Sequence, residues 1–190
     1  MTIRFDQSAP YEVEERDITF AKHAGQDVLA RVYRPKGAPD APLAALVDVH
    51  GGAWSRADRN VGVHHGRGLA ACGLVVVSPD FRQGPDHKPP AAASVTGVVG
   101  GGRARALPPA WIAQPETDDN VPAAITDALV RAYEAAGGSI ERARFPGAKH
   151  GFIGQASADT TKCIAHMRDF IGRQLARTPS RLTVMDGQGL

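Results

Sequence analysis

The string His50-Gly51-Gly52-Ala53-Trp54 is the first place in the chain where residue types and spacing could do chemistry. Glycines placed directly after an apolar strand let the backbone turn so that successive N–H groups point into a cleft. Such converging donors stabilise the negative oxygen of a tetrahedral acyl-transfer intermediate, each contributing on the order of 2.7–4 kcal/mol in a dry site. Gly51, Gly52 and Ala53 are the candidate donors. The same string also reads as a tight strand-to-loop turn with no chemistry in it. Three later strings put ionisable groups into loops: Asp80-Phe81-Arg82-Gln83-Gly84-Pro85-Asp86-His87-Lys88-Pro89-Pro90-Ala91, Glu116-Thr117-Asp118-Asp119-Asn120-Val121-Pro122, and Phe145-Pro146-Gly147-Ala148-Lys149-His150-Gly151-Phe152. Taken singly, Asp118 is explained as a carboxylate at a helix N-terminus, a role Asp119 or Asn120 could equally fill, and His150 as a solvated loop histidine.

The other reactive types carry less. His64 and His65 are adjacent, so they leave a helix in different directions, and with His87 they make no metal-ligand spacing. No metal or cofactor is expected. Gly97 and the run at 100–102 follow no clear strand and lack the lysine of a phosphate loop. Cys72 and Cys163 sit in apolar settings that suggest buried free thiols, without metal or redox spacing.

These loops need elements to position them. YEVEERDITFA alternates polar and apolar residues, and after a turn at 23–26 the run DVLARVYRP follows, which together suggest a hairpin. Residues 43–50, LAALVDVH, read as a buried central strand entering the glycine loop. Residues 59–71 space Val61, Leu69 and Ala70 as a weak helix stopped by Gly73, and LVVVSPDF is a second buried strand. Strand, helix and strand in series make a parallel crossover unit. The second half repeats the pattern. PPAWIAQPE is a short strand, and residues 121–136 form a helix with Pro122 at its start, Gly137-Gly138 at its end, and Ile125, Leu129, Val130 and Tyr133 on one face. SIERARFPG is a strand, and residues 159–175 form a helix with a stripe of Ile164, Met167, Phe170, Ile171 and Leu175. From Thr178 the tail looks frayed. Residues 82–109 have no periodic apolar face and contain Pro85, Pro89, Pro90, Pro108, Pro109 and a triple glycine. So long a structureless connection is uncommon in a compact domain: it is a functional loop, a disordered segment, or a scar where something has been removed.

The chain has 190 residues, 43% of them hydrophobic and 22% charged, which is enough to bury the core of one domain. Lys and Arg number 22 against 20 Asp and Glu, and the basic residues are scattered, so neither nucleic acid nor a membrane surface is implied as a partner. A small neutral or mildly charged ligand fits better. No stretch reaches the roughly 18 apolar residues of a membrane span, and the first residues hold no apolar leader segment, so the cytoplasm is the expected address.

In combination and in this order, the strings resemble the hormone-sensitive-lipase-like esterases and lipases of the α/β-hydrolase family, over roughly residues 41–175. The resemblance implies an α/β fold with a mostly parallel sheet and flanking helices, and an ester as the small-molecule substrate. It places Asp118 at the catalytic acid, with Asp119 as the adjacent competitor, and His150 at the catalytic base. A carboxylate bonded to one ring nitrogen fixes the tautomer, so that the other nitrogen can take a proton from a serine hydroxyl and return it to the leaving group.

In one respect the chain departs from that family. The family's nucleophile sits in a G-x-S-x-G elbow before the acid and the histidine in chain order. Of Ser8, Ser55, Ser78 and Ser94, the serines before Asp118, none has glycine two residues before and two after. Ser94 lies in the right interval but has no apolar strand before it. The simplest account is an internally truncated α/β-hydrolase in one domain, 1–190. Within it, residues 1–81 are the N-terminal half, residues 82–109 an irregular junction, and residues 110–177 the C-terminal half with the acid and the histidine. Three functions then compete: a carboxylic-ester hydrolase of impaired activity, a non-catalytic remnant acting as a binding or interaction domain, and a partial chain completed by another polypeptide at its sheet edges. Bare edges also imply self-association.

Overall fold

The computed structural model describes residues 5, 6, 8, 10–38, 42–52, 56–81 and 107–177. Expectations about Ala53, Ser94, the junction up to residue 106 and the tail after 177 lie outside the described residues. The N-terminal sheet has the order β1-β2-β4-β3. Strands β1 (Val13–His23) and β2 (Gln26–Pro35) form the expected hairpin, antiparallel in register from Val13 opposite Pro35 to His23 opposite Gln26. Its two-residue turn has Ala24 and Gly25 both at positive φ, the geometry whose twist matches that of the strands. β2 runs antiparallel to β4 (Val75–Pro79), and β4 runs parallel to β3 (Ala45–Val47). Helix α1 (Val63–Ala70) makes the crossover from β3 to β4. The second sheet pairs β5 (Ala110–Pro115) with β6 (Ile140–Phe145) in parallel, and α2 (Ala123–Ala135) connects them. A short 3-10 turn (Phe152–Gly154) and the long helix α3 (Ala158–Arg177) follow.

Two cores result, joined by α3. Tyr33, Leu69, Leu74 and Val76 are fully buried between the four-stranded sheet and α1, and Ile164, Met167, Ile171 and Leu175 of α3 close over them. Each such large side chain taken from water contributes about 1.5–3 kcal/mol. The second core is smaller, with Phe145, Ala148 and Cys163 packed by Trp111, Phe152 and again Met167. Met167 therefore touches both cores. The close approach of α1 depends on Gly66 and Gly68: a Cβ at the first would meet the Tyr33 ring at 2.8 Å, and at the second Ile164 at 2.9 Å. Those interior glycines also explain why the helical pattern of residues 59–71 is weak; the helix itself starts at Val63.

Two expectations are corrected. Residues 43–50 are not a buried central strand. β3 is three residues long and lies at the edge of its sheet, with Val47 65% exposed and Val49 also exposed. Apolar content registers what a strand could bury, and here no neighbour among the described residues covers that side. On α2, Ile125 (58% exposed) and Leu129 (50%) remain largely uncovered, whereas Thr126 and Tyr133 are buried. Tyr133 anchors that face by donating its hydroxyl to the Pro108 carbonyl. Both thiols are buried and free, as expected. Among the described residues no helix is long and apolar enough to cross a membrane, and no cluster of three His, Cys, Asp or Glu could hold a metal ion.

Candidate active site

The loops leaving β5 and β6 are held together at their bases. The Glu116 N–H donates to the Phe145 carbonyl at 3.1 Å and the Thr117 N–H to that of Ala148 at 3.0 Å. The Thr117 hydroxyl lies 3.1 Å from the Gly147 carbonyl and 2.7 Å from that of Ala148. Each net hydrogen bond of this kind contributes about 1 kcal/mol. The residue immediately after Thr117 is Asp118, and two residues after Ala148 comes His150, so the clasp delivers both side chains to the same place.

They meet there: His150 Nδ1 lies 3.0 Å from Asp118 Oδ2 and 3.1 Å from Oδ1. The Asp118 side chain is only 5% exposed, against 49% for His150. Asp118 Oδ1 also accepts from the Asn120 N–H at 2.9 Å and the Val121 N–H at 2.8 Å. The helix-entry role and the histidine-partner role are thus filled by one carboxylate. Burial would raise its pKa, but the Val121 N–H, the His150 ring and the Asn120 N–H together hold it below the usual carboxylate range. An ionised carboxylate only accepts, so Nδ1 carries the donated proton, and in the neutral ring Nε2 keeps its lone pair. Gly151, at φ 72°, turns the chain into the 3-10 turn directly after the histidine. The pair borders a groove of about 410 Å³ whose walls include Ile112, Val121, Leu129 and Phe152. Gln114 and Thr126 also line it, and sequence reasoning singled out neither. Their place in an apolar strand and helix gives no sign of it.

Gly51 and Gly52 lie after β3, on the other sheet, and do not line that groove. Gly52 is confined to glycine: at φ 130° an added Cβ would sit 1.8 Å from the Arg56 carbonyl oxygen. Its own carbonyl accepts from the Arg56 N–H at 3.1 Å. Among the described residues, neither the Gly51 nor the Gly52 N–H has an acceptor. His50 is buried and stacks on Phe81 at 4.4 Å, which joins the glycine string to the Asp80-Phe81 string. Asp80 in turn accepts from the Arg59 N–H at 2.9 Å and its guanidinium at 2.7 Å, and Arg59 reaches Asp17 at 2.9 Å. The two strings that carry the resemblance are therefore in contact in the folded chain.

Sequence reasoning missed a second histidine-carboxylate pair. His65 Nε2 lies 3.0 Å from Asp48 Oδ2, which also accepts from the Ser78 hydroxyl at 3.0 Å. Burial alone would raise the Asp48 pKa, but its bonds to His65 and Ser78 lower it overall. Here the carboxylate stands between histidine and serine, so no proton relay from Ser78 to His65 exists. The pair ties α1 to the end of β3, just before the glycine loop. Helix register shows only that His64 and His65 diverge.

No family model and no curated protein matches the chain. Solved structures do. A fungal esterase from Rhizomucor miehei superposes with a TM-score of 0.65 at 15% identity, covering 92% of this chain and 86% of its own. The Pyrobaculum calidifontis esterase gives 0.66 at 19%, covering 88% and 87%. The Thermogutta terrifontis esterase Est2, solved with propionate bound, gives 0.66 at 15%, covering 87% and 94%. At such identities it is the fold that is shared, and the fold of this chain is that of the α/β-hydrolase esterases.

Proposed function

We infer that the chain is a carboxylic-ester hydrolase of the α/β-hydrolase type, working well below the rate of a complete esterase. The observation that carries this reading is the Asp118–His150 pair: a shielded, fully hydrogen-bonded carboxylate fixes the tautomer of a half-exposed imidazole at the mouth of an apolar groove. Asp118 is the acid and His150 the base, with the backbone of Gly51, Gly52 and Ala53 as the oxyanion donors. The rate is low because no G-x-S-x-G elbow exists in the sequence, and with it goes the N–H donor that follows the nucleophile. An imidazole pair and oxyanion donors without the serine still leave a residual rate of roughly a thousand to ten thousand times that in water. The test is hydrolysis of short-chain p-nitrophenyl esters alongside a fluorophosphonate probe. We expect slow turnover, reduced by His150→Ala, and no labelled serine. Turnover in the ordinary range of about 1 to a thousand per second with one labelled serine would overturn the account of the nucleophile.

A second reading, a non-catalytic remnant that binds ligands or partners, rests on the same missing elbow and on the exposed edges. Among the described residues β3 is paired only with β4, and β5 only with β6. We read residues 1–81 and 110–177 as one domain whose middle, at 82–109, has lost the units that lay between those edges. The packing of α3 against both cores supports one body, and the bare edges support self-association. Light scattering tests this: concentration-dependent mass is expected, and a monodisperse monomer at all concentrations would count against it.

A further inference from the structure

The proposed hydrolase has a base with no serine elbow to serve, and the geometry of that base suits it for a different role. We propose that His150 is itself the nucleophile: its Nε2 is acylated by donors with weakly basic leaving groups, aryl esters and thioesters, and water then releases the acid. The inference rests on the reading of the Asp118–His150 pair as an acyl-transfer site.

Three observations support it. First, Nδ1 donates to both oxygens of Asp118, at 3.0 and 3.1 Å, so the lone pair of the neutral ring is at Nε2, the nitrogen that Asp118 does not engage. Second, among the described residues the only hydrogen-bond partner of the His150 ring is Asp118, so no hydroxyl or thiol of these residues stands between Nε2 and an incoming carbonyl. Third, the side chain is half exposed beside a groove walled by Ile112, Val121, Leu129 and Phe152, which gives an acyl chain an apolar seat and leaves water a path to the adduct. Among the described residues no Lys or Arg lines the groove, so an uncharged acyl group suits it best.

The step balances. The Nε2 lone pair forms the N–C bond, the C–O or C–S bond breaks, and the phenolate or thiolate leaves with its electron pair. The ring becomes an N-acylimidazolium, whose charge faces the Asp118 carboxylate across the Nδ1 proton. Water adds to the acyl carbon, the C–N bond breaks with its pair returning to Nε2, and the carboxylate product leaves while two protons pass to solvent. Imidazole attack is productive only when the leaving group departs more readily than imidazole itself. Alkyl esters, whose alkoxides do not, are therefore excluded, whereas a serine or base-activated water would accept both classes.

The test is rapid mixing of the intact chain with p-nitrophenyl acetate, acid quenching, and peptide mass mapping, with turnover of p-nitrophenyl acetate and ethyl acetate followed in parallel. The expected result is one hydroxylamine-labile acetyl group on His150, formed about tenfold or more faster than on N-acetylhistidine methylamide under the same conditions, which serves as the unassisted imidazole. Asp118→Asn lowers His150 acetylation to the level of the free histidine derivative, and ethyl acetate is not hydrolysed. An acetyl group on a serine overturns the proposal and makes His150 a base. His150-dependent turnover of both esters without any adduct overturns it in favour of attack by water. In both cases the hydrolase reading stands. Labelling of His150 no faster than the free histidine derivative overturns the proposal outright, and if no ester turnover depends on His150 the hydrolase reading falls with it.

Discussion

The four-stranded sheet and the two-stranded sheet support their loops in different ways. The first has the deeper core, with Tyr33, Leu69, Leu74 and Val76 all out of contact with water, and a charge network from Arg31 and Asp17 through Arg59 to Asp80 that bonds the hairpin to the end of β4. Yet its glycine loop leaves from β3, three residues at the edge of the sheet formed by the described strands. Among the described residues the second sheet has two strands and a core of three buried side chains, but its two loops are clasped to each other by Thr117 and carry a formed Asp118–His150 pair. A pair of side chains on adjacent parallel strands needs only local hydrogen bonds to meet. For the proposed oxyanion role the glycine loop would have to be positioned relative to something outside its own sheet, and depth of core does not supply that.

The sharpest way to break this comparison is to hollow each core in turn. Phe145→Ala should cost about 3–5 kcal/mol and Leu69→Ala about 2–5. Because Met167 and α3 serve both cores, each substitution should shift one common unfolding transition, read by circular dichroism and by tryptophan fluorescence from Trp111. Two separate transitions, each moved by only one substitution, would show that the halves fold independently.

Alkaline unfolding separates the halves next. Burial pushes the Cys163 thiol up to about 11 from an ordinary 9.0. A group whose pKa is raised on folding contributes stability that is complete below its unfolded pKa and lost as pH rises through the folded one when, as for a thiol, the folded state holds its proton more tightly. Stability should therefore fall between pH 9 and 11, by on the order of 3 kcal/mol. Cys163→Ala should flatten that stretch of a urea-denaturation series against pH, and an unchanged slope would remove Cys163 as its cause.

Asp118 gives the opposite sign. Its pKa lies below the ordinary 3.8, so its contribution is present above that value and lost as pH falls through the folded one. Acid titration should release the His150 ring below about pH 4, visible as a change in its imidazole NMR shifts, and Asp118→Asn should abolish that change. Thr117→Val is a smaller perturbation of the same clasp. It should cost about 1 kcal/mol and reduce any His150-dependent ester turnover, while leaving His50 and its stack on Phe81 untouched. A loss of turnover with no loss of stability would show that the clasp positions the pair without holding the fold.

The smallest effect on stability is expected at the β3 edge. Val47→Lys changes an exposed side chain and should move the folding free energy by no more than about 0.5 kcal/mol, but should lower the apparent mass in sedimentation if β3 mediates association.

Much of this molecule was legible in the residue order. Alternation and turn residues marked the hairpin, and the acid and histidine strings each followed an apolar strand, so their meeting followed from two adjacent parallel strand-helix units. Those are local properties, set by backbone preference and by side chains a few positions apart. Burial was less legible, because an apolar residue states only what it could bury. Val47, Ile125 and Leu129 are as apolar as Leu69 and Val76, and they are exposed because no described neighbour covers them beside β3 and α2. The Asp48–His65–Ser78 contact was likewise decided by tertiary structure alone, since it joins a strand end, a helix and a second strand through a crossover whose closeness depends on Gly62, Gly66 and Gly68 having no side chains.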